Sequence, residues 1–176
     1  MRTFSEIKEE LNLMLFTESE NGDLYCVPVA PGAKRLIVRR FNRRLTPSMI
    51  SAYVKILADA AQWIERDESL RSVLEVAQPI EVGIDFIARR HYLGTSLAAY
   101  LETDPDEDPP EAPPELAKMR KRFEELMEHA TPRDLPLISV LELSILKPTY
   151  KTIFQEPSQR FVIVDLKLAP ADLLLQ

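Results

Sequence analysis

Hydrophobic residues recur at intervals of three and four along several stretches of the chain, a spacing that predicts amphipathic helices. The longest stretch lies between residues 46 and 65, where Thr46-Pro47 supplies an N-cap followed by proline at the first helical position. It predicts one main helix of about five turns. A capping-box pair, Thr3 with Glu6, opens the first stretch, whose apolar positions run to Met14 and whose helix is predicted to end near the turn residues Asn21-Gly22-Asp23. The remaining stretches start at Leu97 and Leu116.

Short runs of β-branched, aromatic and aliphatic residues predict strands between these helices. The predicted strands are Leu24–Val29, Leu36–Phe41, Val73–Val76, Gly83–Arg89, Leu137–Leu146 and Phe161–Leu168. The turn-forming run Ala30-Pro31-Gly32-Ala33 joins the first two strands and predicts a hairpin. Like charges and prolines between residues 103 and 114 oppose packing, so we expect an acidic loop there. The sequence therefore predicts the α+β class, with folded parts at 1–102 and 115–176.

Composition and charge narrow the class of partner. The 176 residues are 45% hydrophobic, enough for a core, and carry a net charge of -6 with a sequence pI near 5.1. An acidic chain lacks the positive excess that displaces counterions from phosphates, so we expect no nucleic-acid partner. No apolar run approaches the roughly 18 residues of a membrane span, and the N-terminus lacks the apolar region of a signal peptide. We therefore expect a cytoplasmic protein that does not enter a membrane.

Residues that ligate metals or act as nucleophiles are few and far apart in the sequence. Cys26 is the single cysteine, and its apolar neighbours favour a small buried side chain. His91 and His129 are the two histidines, and neither stands at a metal-ligand spacing from it. The sequence therefore predicts no disulfide, no metal site and no cysteine–histidine catalytic pair.

Three stretches in the first part of the chain carry short motifs, and their order along the sequence is informative. One glycine opens the strand in Gly22–Val29, the strand in Arg35–Phe41 carries Arg39, and Gly83–Leu97 joins a strand to a helix. With the helix between residues 46 and 65, they resemble the glycine-rich loop, lysine-bearing strand, glutamate-bearing helix and hinge of a eukaryotic-type protein kinase. The resemblance implies a kinase-like N-lobe, an antiparallel sheet with one main helix, and puts Arg39 in place of the phosphate-binding lysine.

Two later stretches extend the resemblance. Leu143–Tyr150 is similar to the kinase catalytic loop, and Val164–Lys167 is similar to the strand that ends in the D-F-G motif. The resemblance implies a partial helical C-lobe. It puts Ile145 at the position of the catalytic aspartate, Tyr150 at that of the magnesium-binding asparagine, and Asp165 at the aspartate of D-F-G.

The residues at these positions do not suit phosphoryl transfer, which needs an aspartate to orient the acceptor oxygen, and lysine and magnesium to neutralise the nucleotide. Ile145 and Tyr150 cannot do that work. The loop at 17–22 has one glycine beside two glutamates, unlike a phosphate cradle. Arg39 is bulkier and more basic than lysine, and Asp165 alone is a poor magnesium site. We therefore expect no catalytic residue, no cofactor and no enzyme activity, with Arg39 and Asp165 as degenerate remnants of nucleotide binding. Arg39 is interpreted either as one half of a buried ion pair or as a strand arginine whose charged end reaches solvent.

Two groups of residues are candidates for binding a protein partner. Arginines concentrate around the second predicted strand, and the members assigned to partner binding are Arg40, Arg43 and Arg44. They are interpreted either as solvated charge that protects a sheet edge or as a surface for an acidic partner. The other group is Leu173, Leu174 and Leu175 near the C-terminus. They are interpreted either as a docking segment for a partner's groove or as a last turn that packs on the chain's own core.

The resemblance implies a truncated pseudokinase, since about ten residues follow Asp165. Such a chain would leave apolar surface that a regulatory or scaffold partner, or a second copy in a homodimer, could cover. We therefore predict a non-catalytic protein-interaction or scaffold module. A small adaptor dimer that resembles the secretion chaperones and binds a client protein is an alternative. A third hypothesis is a residual nucleotide-binding enzyme that uses Arg39 and Asp165.

Overall fold

A computed structural model describes residues 1–18, 22–28, 36–41, 45–102 and 108–166. The described helices are α1 (Phe4–Leu11), α2 (Pro47–Glu65), α3 (Glu68–Arg71), α4 (Leu97–Leu101), α5 (Pro114–Glu128) and α6 (Leu135–Ile145). The described strands are β1 (Met14–Thr17), β2 (Gly22–Cys26), β3 (Leu36–Phe41), β4 (Leu74–Val76), β5 (Glu81–Val82), β6 (Phe86–Arg90), β7 (Thr95–Ser96), β8 (Thr152–Gln155) and β9 (Arg160–Ile163). The α+β class is confirmed, with an N-terminal antiparallel sheet, one main helix and further helices after it.

The described residues divide into two compact units. The first unit contains Met1–Lys55 and Gln78–His91, and the second contains Ile56–Ala77 and residues 92–166. Helix α2 therefore begins in the first unit and ends in the second. The division of the sequence into 1–102, 103–114 and 115–176 stays a prediction.

The first unit is built on a five-stranded sheet in the order β1-β2-β3-β6-β5, with every neighbouring pair antiparallel. The predicted pairing of the two hairpin strands is confirmed, because β2 pairs antiparallel with β3 and places Tyr25 opposite Val38. The turn predicted at residues 30–33 lies outside the described residues. The prediction that the first helix reaches Met14 was wrong. Asn12 adopts a left-handed conformation, φ 50, which ends α1 and lets the chain continue as β1.

Helix α1 packs on this sheet through its apolar side. Phe4 and Ile7 are buried in a cluster with Tyr25, Val38 and Phe86, and the rings of Phe4 and Tyr25 lie 4.6 Å apart. The predicted capping box is confirmed, since Thr3 and Glu6 exchange both hydrogen bonds. The start of the helix is therefore fixed by its own caps as well as by the core.

The second unit is built on a four-stranded sheet in the order β4-β9-β8-β7. Strand β4 runs parallel to β9, whereas the other pairs are antiparallel. Phe161 of β9 is completely buried, and its ring lies 5.0 Å from that of Phe154 in β8. On the helical side, Trp63 meets the buried Phe123 of α5 edge to face at 5.9 Å. The sheet and helices of this unit thus share an aromatic core.

The prediction of a strand at Leu137–Leu146 was wrong, because these residues belong to the helix α6 and its C-cap. A nearly continuous apolar run has no clear period, so hydrophobicity alone cannot separate a buried strand from a buried helix. Pro136 stands in the first turn, where proline favours a helix start. Strand β8 was not predicted. Its partner β9 was predicted in part, since three of its four residues fall within the predicted strand Phe161–Leu168.

Candidate functional site

Asp165 is the second residue after β9 in the second unit and is almost completely buried. Its side chain is 4% exposed, and its Oδ2 atom lies 3.1 Å from Nζ of Lys151, whose side chain is 32% exposed. Lys151 directly precedes β8, and its carbonyl accepts a hydrogen bond of 2.8 Å from the Val164 N–H. The antiparallel pairing of β8 with β9 therefore brings the ammonium to the carboxylate.

The turn between α6 and β8 is held by further hydrogen bonds. Oγ1 of the buried Thr152 donates to the Ser144 carbonyl at 2.7 Å, which ties β8 to the end of α6. The Thr149 carbonyl accepts a hydrogen bond of 3.0 Å from the Ala98 N–H. Both ends of this turn are consequently fixed to neighbouring elements, including α4.

Ile145 is the last residue of α6, and its side chain is 0% exposed. It shares the buried face of the helix with Ile138 and Leu141, at the spacing of three and four residues expected for one helical face. An aliphatic side chain inside the core neither accepts a proton nor orients a hydroxyl group. The residue at the position compared with the catalytic aspartate thus has a packing role.

Tyr150, by contrast, lies at the surface and is 73% exposed. Its hydroxyl donates a hydrogen bond of 3.2 Å to Glu102 Oε2. The charge of Glu102, together with this hydrogen bond, raises the pKa of Tyr150 above its usual value. The phenol therefore stays protonated at neutral pH and is a hydrogen-bond donor here rather than a magnesium ligand.

Arg39 and Arg40 lie next to each other in β3 of the first unit, so their side chains are on opposite faces of the sheet. The guanidinium of Arg40 stacks on the Phe4 ring with its central carbon 5.0 Å from the ring centre. Arg39 shares its face with Phe41, whose ring meets Tyr53 of α2 at 5.9 Å. Arg39 thus lies on the α2 side of the sheet, and Arg40 on the α1 side.

The predicted site residues are described only in part. Arg39 and Arg40 belong to the first unit and Asp165 to the second, so their joint participation in one site stays a prediction. The remaining predicted partner-binding residues, Arg43, Arg44, Leu173, Leu174 and Leu175, lie outside the described residues. Lys151 was missed by the sequence analysis, because β8 was not predicted and no pairing then placed it beside Asp165.

The edge strand β1 exposes a short apolar stretch in the first unit. Met14, Leu15 and Phe16 are each more than half exposed, although the strand pairs with β2. The register shifts between Leu15 and Thr17, which marks a bulge. Edge strands usually carry charges or proline that discourage further pairing, and Met14–Thr17 carries neither.

The described ranges hold neither a metal-binding cluster nor a membrane-spanning helix. These ranges contain no group of three or more His, Cys, Asp or Glu side chains arranged to hold a metal ion. Within the same ranges, no helix combines the length and the apolar character that crossing a membrane requires.

Comparison with known proteins yields a single kind of match. No protein-family model matches the chain, and no curated protein does. Nine chains of solved structures match. One of them, described as "Structure of the streptomycin-ATP-APH(2'')-IIa ternary complex", is 12% identical, with a TM-score of 0.40 over 99% of this chain and 75% of that chain. This TM-score is too low to establish a shared fold.

Proposed function

We propose that the chain is a pseudokinase-like module that binds a protein, either a partner or a second copy of itself, and transfers no phosphoryl group. The observation that carries the proposal is the burial of Ile145. Phosphoryl transfer to a hydroxyl needs a carboxylate that orients the acceptor and takes its proton. The corresponding position here holds an aliphatic side chain that is 0% exposed.

Tyr150 and Asp165 support the non-catalytic part of the proposal. Tyr150 offers a protonated phenol engaged with Glu102, where the chemistry would need an oxygen ligand for magnesium. The Asp165 carboxylate lies against the Lys151 ammonium. Each of the three positions that the resemblance assigns to catalysis or metal binding is thus replaced or engaged within the protein.

The exposed apolar residues of β1 support the protein-binding part. Large apolar side chains on a sheet edge that carries neither charge nor proline lose unfavourable contact with water when another polypeptide covers them. A strand added to such an edge also satisfies the outward backbone N–H and C=O groups. We therefore assign Met14, Leu15 and Phe16 to the interaction surface.

A phosphotransfer assay with labelled ATP tests the proposal. Wild type and Asp165→Asn are incubated with magnesium and a general protein substrate, and autophosphorylation is followed in parallel. We expect equal background incorporation for both proteins. Incorporation by wild type that Asp165→Asn abolishes, with both proteins folded by circular dichroism, would contradict the proposal.

A further inference from the structure

The ion pair between Lys151 and Asp165 joins a buried carboxylate to a lysine side chain that is partly exposed to solvent. The carboxylate side chain is 4% exposed and the lysine side chain 32% exposed, with 3.1 Å between Oδ2 and Nζ. An ionised carboxylate in such a place is strongly unfavourable unless a positive charge lies close to it. Lys151 supplies that charge from the chain itself.

The backbone holds the lysine in position for this contact. The Lys151 carbonyl accepts from Val164 N–H at 2.8 Å, and the Lys151 N–H donates to Thr149 Oγ1 at 3.1 Å. The backbone groups on both sides of the side chain are therefore fixed next to the end of β9. Because the main chain is already ordered, only the side-chain rotamer freedom of Lys151 remains to be lost when the ammonium approaches Asp165.

A divalent cation on the same oxygen would conflict with this arrangement. Such ions bind carboxylate oxygens at about 2.0–2.6 Å. With Nζ at 3.1 Å from Oδ2, an ion on that oxygen would stand within about 6 Å of the ammonium. Two positive centres at that separation repel each other in a region that water enters poorly. Lysine and metal ion are therefore alternative occupants of this carboxylate.

We propose that Lys151 is a built-in counter-cation that closes Asp165 to divalent metal ions. The second unit consequently keeps its buried carboxylate without a bound ion. Replacing the ammonium by a second carboxylate at position 151 should then create a cation site from one residue that precedes β8 and one that follows β9.

Thermal unfolding of the full chain in MnCl2 at constant ionic strength tests this inference. We expect the Tm of wild type to stay within about 1 °C across the titration, because no ion binds the native state. Lys151→Met removes the ammonium that lies beside the buried Asp165 carboxylate, so its Tm should fall by about 5 °C or more. The Tm of Lys151→Asp should rise with the logarithm of the manganese concentration, and EDTA should reverse the rise.

Lys121 provides the matched control, because it is an exposed lysine on α5 of the same unit. Lys121→Met and Lys121→Asp should show neither the loss of Tm nor the response to manganese. A saturable rise in the Tm of wild type would overturn the inference, as would a Lys151→Met protein as stable as Lys121→Met. Both outcomes can be read even if Lys151→Asp fails to fold, and neither depends on the phosphotransfer assay.

Discussion

At the scale of single residues, the second unit holds its partly buried charges in multiple hydrogen bonds. Arg122 donates to Asp67 through Nε and through a terminal nitrogen that lies 2.6 Å from Oδ2. Asp67 also caps α3, since its Oδ1 accepts from the Leu70 N–H at 2.8 Å. The hydrogen bond from Arg122, and then that from Leu70, lower the pKa of Asp67. One carboxylate thus joins α3 to α5 and stabilises the start of α3.

Replacing this carboxylate should reduce stability in a pH-dependent way. Asp67→Asn keeps a capping side chain but loses the charge, so we expect a loss of about 1–2 kcal/mol in the free energy of unfolding at pH 7. A carboxylate whose pKa is lower in the folded than in the unfolded protein stabilises the fold at pH values above its unfolded pKa. This contribution disappears as the pH falls through its folded-state pKa. The difference between variant and wild type should therefore shrink as pH falls below about 4. Urea denaturation from pH 7 to pH 2.5 measures it.

Glu128→Gln is the control for this experiment, because Glu128 is an exposed carboxylate on α5. Its unfolding free energy should follow that of wild type at every pH. A difference between Asp67→Asn and wild type that stays constant down to pH 2.5 would contradict the assigned role of Asp67.

At the scale of elements, the sequence predicted those that carry their own start signals. The capping box opens α1, Thr46-Pro47 opens α2, and Ser96 caps α4 by accepting from the Ala99 N–H. Two elements without such signals, α6 and β8, were assigned to the wrong type or missed. The apolar run of α6 has no decisive period, and the short strand β8 depends on pairing with β9. Tertiary contacts, which a single sequence does not display, decide the type of the first element and the existence of the second.

The same limit explains which parts of the candidate site were predicted. Ile145, Tyr150 and Asp165 were singled out because the resemblance to kinase motifs assigns a position to each of them, and their roles stay predictions. Lys151 was not found, because only the pairing of β8 with β9 places it beside Asp165. A prediction of that contact would have required the hairpin and its register first.

An alanine series across α6 distinguishes a helix from the originally predicted strand. In the helix, Leu141 is completely buried, whereas Leu143 is 38% exposed. Leu141→Ala should therefore cost about 2–5 kcal/mol of unfolding free energy, and Leu143→Ala less than about 1 kcal/mol. In a strand, residues two apart share a face, so the two costs would be similar. Chemical denaturation of both variants gives the comparison, and equal losses would contradict the helix.

At the scale of the whole molecule, the exposed apolar side chains of β1 form the surface to which the proposed function assigns a partner. Three large apolar side chains of this strand are each more than half exposed, and no residue of the strand is buried. The proposed function assigns this surface to another polypeptide. The 20.2 kDa mass of the chain makes an added copy easy to detect in solution.

We expect self-association through β1, measured by light scattering on a sizing column. Wild type should have a mass above 20.2 kDa, and Leu15→Lys should return it to the mass of one chain. Leu135→Lys is the matched control, since Leu135 is 50% exposed and Leu15 is 51% exposed. A wild-type mass of 20.2 kDa, or an unchanged assembly in Leu15→Lys, would contradict self-association through this strand.

The proposed function predicts that magnesium and ATP do not bind together at Asp165, and a thermal-shift titration with ATP, with and without magnesium, tests this most directly. Ligand that binds the native state must raise the Tm. We predict no magnesium-dependent rise, because Asp165 is held by Lys151 and Tyr150 is engaged with Glu102. A rise in Tm that requires magnesium and disappears in Asp165→Asn would contradict the claim.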